Sequence, residues 1–170
     1  AKATIEYFRK QGIHTTLITG DSEMTGKAVA KQLGIDEVIA NVMPEDKSRI
    51  IDEQKEKYGV TAMVGDGVND APALVNADVG IAMGDGTDVA VEVSDLVLMQ
   101  NNLSKLVQSH NISSKMNRVI WQNIIFSMAV VAFLIVVSFL GLTDIAISVI
   151  IHEGSTLVVI LNGLRLLRAV

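Results

Sequence analysis

Three features of the 170-residue sequence predict an α/β domain with a mostly parallel sheet, followed by a two-helix transmembrane hairpin. Short β-branched and apolar runs alternate with helical stretches over residues 1–101, the spacing of a doubly wound sheet. One such run, Val60 to Val64, stops at Gly65-Asp66-Gly67, so acidic side chains crowd a loop at a strand's carboxyl end. That edge is where open α/β sheets bind ligands. From Val119 to Thr143 the chain carries no formal charge, a run long enough to cross a hydrocarbon core about 30 Å thick.

The elements follow in order. Ala1 to Gln11 reads as an amphipathic helix, Lys2 to Gln11 with Ile5 and Phe8 on one side, and not as a signal-peptide pattern. The chain is therefore expected to begin inside a domain. Ile13 to Ile18 reads as a strand that empties into Thr19-Gly20-Asp21. A helix from Ser22 to Leu33 is capped by Asp21 or Ser22 and stopped by Gly34. Glu37 to Asn41 is a short strand. Pro44 opens a third helix as its first residue, with Glu45 and Asp46 in the first turn, and Gly59 ends it after Tyr58. Beyond the Gly65 loop come a short helix, a strand at Val79 to Met83, a helix near Asp88 to Val93 and a strand at Leu96 to Met99.

Asn102 can cap the next helix, and neither Pro nor Gly interrupts the sequence from there to Leu140. One helix can thus run from the soluble part into the membrane. Val119 to Leu142 makes the first span, Gly141-Leu142-Thr143-Asp144 a tight turn, and Ile145 to Leu164 the second span. The expected divisions are 1–101 for the soluble domain, 102–118 for the connecting helix and 119–170 for the membrane helices. Lys115 and Arg118 flank the first span, Arg165 and Arg168 the second, and the turn carries no base. The positive-inside rule then places residues 1–118 and the C-terminus in the cytoplasm of a cell-membrane protein.

Composition excludes several classes. The net charge of −5, with most acids before residue 110, argues against a nucleic-acid partner. The sequence has no cysteine, so it can form neither a disulfide nor a thiolate metal site.

Three separated segments supply phosphate chemistry. Thr19, Gly20 and Asp21 offer a hydroxyl and free backbone amides for phosphate oxygens. Lys47 sits in the first turns of the helix opened by Pro44, where its ammonium can neutralise phosphoryl charge. Asp66 and Asp70 suit Mg2+, a hard cation that prefers oxygen ligands. Phosphoryl transfer asks the protein for little beyond positioning and charge neutralisation.

In the second span, His152-Glu153-Gly154-Ser155-Thr156 lies about 12 Å beyond Asp144 at about 1.5 Å per residue, close to the bilayer midplane. Ionisable groups at that depth are costly and usually functional. Imidazole beside carboxylate suits Zn2+, Co2+ or Fe2+ better than Cu+. Gly154 and Ser155 permit either close helix approach or a local loosening that exposes carbonyls. Asn123 and Ser127 in the first span are weaker candidates.

The string Gly65-Asp66-Gly67-Val68-Asn69-Asp70-Ala71-Pro72-Ala73-Leu74 resembles the hinge signature of the P-type ATPases, a haloacid-dehalogenase-like branch of phosphotransferases. The resemblance implies a Rossmann-type sheet and an ATP-driven pump that passes through an aspartyl-phosphate. It assigns Thr19 and Asp21 to the family's second motif and Lys47 to the third. Asp66 becomes the Mg2+ ligand, and Asn69 and Asp70 support phosphate and metal. His152 to Thr156, followed by Asn162-Gly163-Leu164-Arg165, resembles the last helix of the heavy-metal-transporting members. The form of that string points to the subgroup associated with cobalt, iron, zinc and cadmium, with His152, Glu153, Ser155 and Thr156 at the transported cation.

The family's phosphorylated aspartate lies in an Asp-Lys-Thr-Gly-Thr string, which this sequence does not contain. The resemblance places that strand mid-sheet, between those leading to Thr19 and to Asp66, so without it the sheet is expected to split into halves with unpaired inner edges. The expected partners are the remainder of the same pump (nucleotide-binding and actuator domains and earlier membrane helices) and the bilayer. A catalytically inactive, truncated membrane protein that binds metal or a partner pump is the alternative. A soluble phosphatase would need the same nucleophile and leaves both spans unexplained.

Overall fold

The computed structural model describes residues 1–99 and 102–168, in two units, Ala1–Gln108 and Ser109–Val170. Helices and strands alternate through the first unit: α1 (Lys2–Lys10), β1 (Thr16–Ile18), α2 (Glu23–Leu33), β2 (Glu37–Ile39), α3 (Lys47–Tyr58), β3 (Ala62–Gly65), α4 (Ala71–Asn76), β4 (Val79–Met83), α5 (Asp88–Val93) and β5 (Leu96–Leu98). Every strand pairing is parallel.

The strands form two sheets. β1 pairs with β2, Thr16 opposite Glu37, while β4 sits between β3 and β5, Ile81 opposite both Val64 and Leu96. Among the described residues β1 and β3 each keep one edge unpaired, the split expected of a sheet whose middle strand comes from elsewhere. Burial follows the same division. Gly80, Ile81 and Ala82 of β4 are buried, Ala82 in a cluster with Leu74 and Ala90, whereas every residue of β1 and β2 is only partly covered.

α3 ties the halves together. It buries Ile50, Ile51 and Gln54. Gln54 accepts a hydrogen bond from the Thr16 hydroxyl of β1 at 3.0 Å. On the other side Asn76 donates to the Ser48 carbonyl and the Asp52 carboxylate at 2.9 and 2.8 Å, and Lys55 donates to the Asn76 carbonyl at 3.0 Å.

Several boundaries differ from expectation for identifiable reasons. β1 begins at Thr16, not Ile13, because Asp36 accepts from the Thr15 amide and hydroxyl and turns the preceding residues away from the ladder. β2 ends at Ile39 because Asn41 adopts a left-handed φ of 55°, and its amide donates to the Asp21 carbonyl. Ser22, not Asp21, caps α2 by accepting from the Thr25 amide. Pro44 opens a 3-10 turn, Pro44–Asp46, and the α-helix proper starts at Lys47. Asn102 does hold the start of the next helix, its carboxamide oxygen accepting from the Ser104 amide at 2.9 Å.

That helix, α6 (Ser104–Phe139), runs uninterrupted for 36 residues, and α7 (Ile145–Leu164) for 20. Both are long and apolar enough to cross a membrane. The turn between them follows from Gly141, whose φ of 67° closes a Schellman motif. The Leu142 amide donates to the Val137 carbonyl and the Gly141 amide to that of Ser138. Asp144 then caps α7, accepting from the Ile147 amide. Partly buried residues recur at Val119, Asn123, Ser127, Val130, Leu134 and Val137, a helical period that marks the face of α6 turned to α7. Asn162 donates to Asn123 across that seam at 2.9 Å.

Candidate phosphoryl and cation sites

The first candidate site grows from the carboxyl end of β3. Gly65 is buried, and a Cβ there would lie 2.7 Å from Cβ of Asp70, so glycine is what lets the Asp70 side chain fold back under the loop. A 3-10 turn, Val68–Asp70, brings that carboxylate round. One oxygen accepts from the Lys47 ammonium at 2.6 Å, and the other faces the backbone amides of Asp66 and Gly67 at 3.3 and 3.4 Å. The side chains of Lys47 and Asp70 are 19% and 11% exposed, so the pair is largely shielded from water and from salt.

The Asp66 and Asn69 side chains are exposed on the same loop. Asp66 is held through its backbone: its carbonyl accepts from the Thr87 amide at 3.1 Å. Thr87 also caps α5. A Cβ on Gly86 would come within 3.0 Å of the Asp66 carbonyl oxygen, so this second loop needs glycine for close approach. Sequence reasoning passed over it, although Gly84-Asp85-Gly86 after β4 repeats the pattern of Gly65-Asp66-Gly67 after β3.

The donor set fits a hard cation. An exposed carboxylate at Asp66 stands on a loop with Asp70, whose second oxygen makes only long contacts to amides. Lys47 and Asp70 are in direct contact, and Asp66 is joined to them through its amide. Thr19, Gly20 and Asp21 lie at the carboxyl end of β1, in the other sheet, with no hydrogen bond to these residues among those described. The free amides expected there are largely committed. The Thr19 amide donates to the Ile39 carbonyl and that of Asp21 to the Thr19 hydroxyl oxygen, because the turn is stitched to β2. The Asp21 carboxylate and the Gly20 backbone remain exposed.

The second candidate site is on α7. His152, Glu153 and Thr156 are exposed, while Ser155 is half-buried. Ser155 and Thr156 both donate to the His152 carbonyl, at 2.6 and 3.3 Å, the back-bonding usual for hydroxyls inside helices. Of the two outcomes Gly154 permits, the loosening is not found: α7 is continuous through it. Nor does Gly154 bring a neighbour close, for a Cβ there would meet nothing within 4 Å. His152 and Glu153 border a cavity of about 380 Å³ with Ser138, Thr143, Asp144 and Ser148. Asn123 is engaged by Asn162, and Ser127 lies on the seam.

Residues 1–78 match the model of a hydrolase family described as haloacid dehalogenase-like hydrolase. Over 168 residues the chain is 54% identical to a zinc-transporting ATPase of Bacillus subtilis (strain 168), which covers 99% of this chain and 26% of that protein. It is 42% identical over 168 residues to a copper-exporting P-type ATPase of Staphylococcus haemolyticus, covering 99% of this chain and 21% of that one. The crystal structure of a zinc-transporting PIB-type ATPase in an E2.Pi state superposes with a TM-score of 0.92 at 37% identity, covering 98% of this chain and 27% of the other. The chain thus spans about a quarter of the length of the relatives it matches.

Proposed function

As a member of the heavy-metal-transporting P-type ATPases, this chain, we propose, forms the distal part of the phosphorylation domain and the last two membrane helices of a divalent-cation efflux pump. The observation that carries the reading is the Lys47–Asp70 pair set beneath the Asp66 loop at the carboxyl end of β3.

Lys47 uses one ammonium donor on Asp70 and keeps others for phosphoryl oxygens. Asp70 therefore positions the lysine as well as adding negative charge beside the cation. Asp66 and Asp70 would hold Mg2+, which when bound neutralises charge on the transferring phosphoryl group. Asn69, exposed on the same loop, and the Thr19 hydroxyl, Gly20 and Asp21, at the carboxyl end of β1, are the further groups offered to phosphoryl oxygens. The nucleophilic aspartate and the ATP-binding site belong to the remainder of the pump, and the unpaired edges of β1 and β3 support a strand supplied from outside the chain.

The cargo is a divalent transition metal of the Zn/Co/Cd/Fe type, with His152 and Glu153 as its ligands and the Ser155 and Thr156 oxygens beside them. The relatives named above include transporters of zinc and of copper, so the preference rests on the ligand chemistry: imidazole and carboxylate, without sulfur. Residues 1–118 and the C-terminus lie on the cytoplasmic side. The test is metal-stimulated ATP hydrolysis by the complete pump across a panel of divalent cations. Glu153→Ala should impair that stimulation while leaving nucleotide binding intact. Wild-type stimulation by Glu153→Ala would remove the cation site from α7.

A further inference from the structure

In a chain of net charge −5, one region holds bases and no acids. No Asp or Glu occurs from Leu96 to Thr143, nor from Gly154 onward. Where these two segments meet, α6 and the end of α7 enclose a recess of about 160 Å³ lined by Lys115, Arg118, Val119, Gln122, Arg165 and Leu166. Three cations share its wall with the apolar side chains of Val119 and Leu166. Arg165 is held in place by donating to the Asn162 carboxamide oxygen at 2.9 Å, while the Asn162 amide reaches Gln122 and Asn123. The recess is therefore a built feature of the hairpin. Beside it, Ile120, Trp121, Ile124, Leu164 and Leu167 present exposed apolar surface.

We propose that the Lys115–Arg118–Arg165 recess binds the phosphate headgroup of an anionic phospholipid, with the acyl chains lying along the exposed apolar residues of α6 and α7. The proposal rests on the reading of these helices as membrane spans. Guanidinium and ammonium groups bind phosphate oxygens strongly, and basic recesses between spans at the cytoplasmic face suit acidic headgroups. Free phosphate shares the headgroup chemistry but has nothing to place against the apolar surface.

Trp121 is the single tryptophan of the sequence and stands next to the recess lining, on α6. The chain is reconstituted in phosphatidylcholine vesicles containing equal small fractions of acyl-brominated phosphatidylglycerol or acyl-brominated phosphatidylcholine, and quenching of Trp121 is followed. The expected result is an apparent affinity for the brominated phosphatidylglycerol about tenfold higher. Arg118→Gln with Arg165→Gln should bring it within about twofold of the zwitterionic lipid. Arg165→Lys should keep most of the preference, and so should Lys105→Gln, a cation outside the recess. Unchanged quenching by brominated phosphatidylcholine shows that the variants still insert. Equal quenching by the two lipids in the unmodified chain overturns the proposal, as does a loss in Lys105→Gln matching that of the double variant. Displacement by inorganic phosphate at millimolar concentration overturns the lipid assignment. Quenching by neither lipid overturns the membrane reading beneath it, a separate failure. In the complete pump, mass spectrometry should find less co-purified phosphatidylglycerol with Arg118→Gln; undiminished lipid there also overturns the site.

Discussion

Asp70 is buried to 11% exposure and makes its shortest contact with Lys47. Removing the lysine leaves a shielded carboxylate without its partner, which is more damaging than losing an exposed ion pair. Lys47→Ala should therefore destabilise the first unit by about 2 kcal/mol, below the range for fully buried pairs because water still reaches the lysine. A double-mutant cycle with Asp70→Asn, read by urea unfolding, should show a coupling of about 1 kcal/mol. Additive single effects would mean that the pair is incidental. Gly65→Ala should do comparable damage by pushing Asp70 off its seat, since the new Cβ would sit 2.7 Å from that of Asp70. In the complete pump its turnover should fall even where the protein is fully folded. At this scale the sequence made the residue types legible: an acid-and-glycine loop after a strand, and a lysine in a helix's first turn. It did not reveal that the lysine and Asp70 touch, or that the Thr19 and Asp21 amides are consumed by the turn. Those outcomes depend on backbone φ angles and loop closure, which no local residue pattern encodes.

Elements meet at α3 and at the two charged clusters around β2. Asn76→Ala removes hydrogen bonds to Ser48 and Asp52 that join α4 to α3, at a cost of about 1–2 kcal/mol. Amide exchange in β3 and β4 should accelerate accordingly; unchanged exchange would deny α3 its bridging role. The turn before β2 has a pH signature. Donation from the Thr15 hydroxyl, then the Thr15 amide and the Arg9 charge, holds the Asp36 carboxyl below its usual range despite partial burial. Glu37 is likewise lowered, chiefly by the Lys57 ammonium, then by the Tyr58 and His14 contacts. Both folded values lie beneath the unfolded ones, so the unfolded chain binds more protons in acid. Their contribution is complete above about pH 4–5 and is lost as the pH falls through the folded values. Exchange protection of the β1–β2 amides, corrected for intrinsic rates, should drop across that window and flatten in Asp36→Asn. A flat profile in the unmodified chain would contradict it. The alternation of strands and helices was plain from hydrophobic patterning and glycine stops. Strand ends were less so, because Asp36 and the left-handed Asn41 cut β1 and β2 short through contacts made at a distance in sequence.

For the molecule as a whole, 170 residues that span about a quarter of the length of their relatives contain two candidate sites, and the similarity reaches nearly every residue. The two long apolar helices were readable because a helix with one face in water carries polar residues along that face, and a span-length run without charge leaves no such face. The intact α7 at Gly154 was not, since glycine inside a helix marks close approach in some contexts and nothing in others. In the complete pump Asp66→Asn should abolish ATP turnover while leaving the fold unchanged by circular dichroism; residual wild-type turnover would free Asp66 of its assigned role. A separately produced segment carrying the Asp-Lys-Thr-Gly-Thr strand should bind this chain and slow exchange at the outer amides of β1 and β3. Absence of protection at either edge would argue against a shared central strand.

The parted sheet has a last consequence for how such a complement would assemble. A guest that docked on β1 alone or β3 alone would gain one ladder, whereas a guest accepted by both would zip two at once. Binding should then be all-or-none, and a slip of a single residue would forfeit both ladders and turn every side chain of the guest to the wrong face.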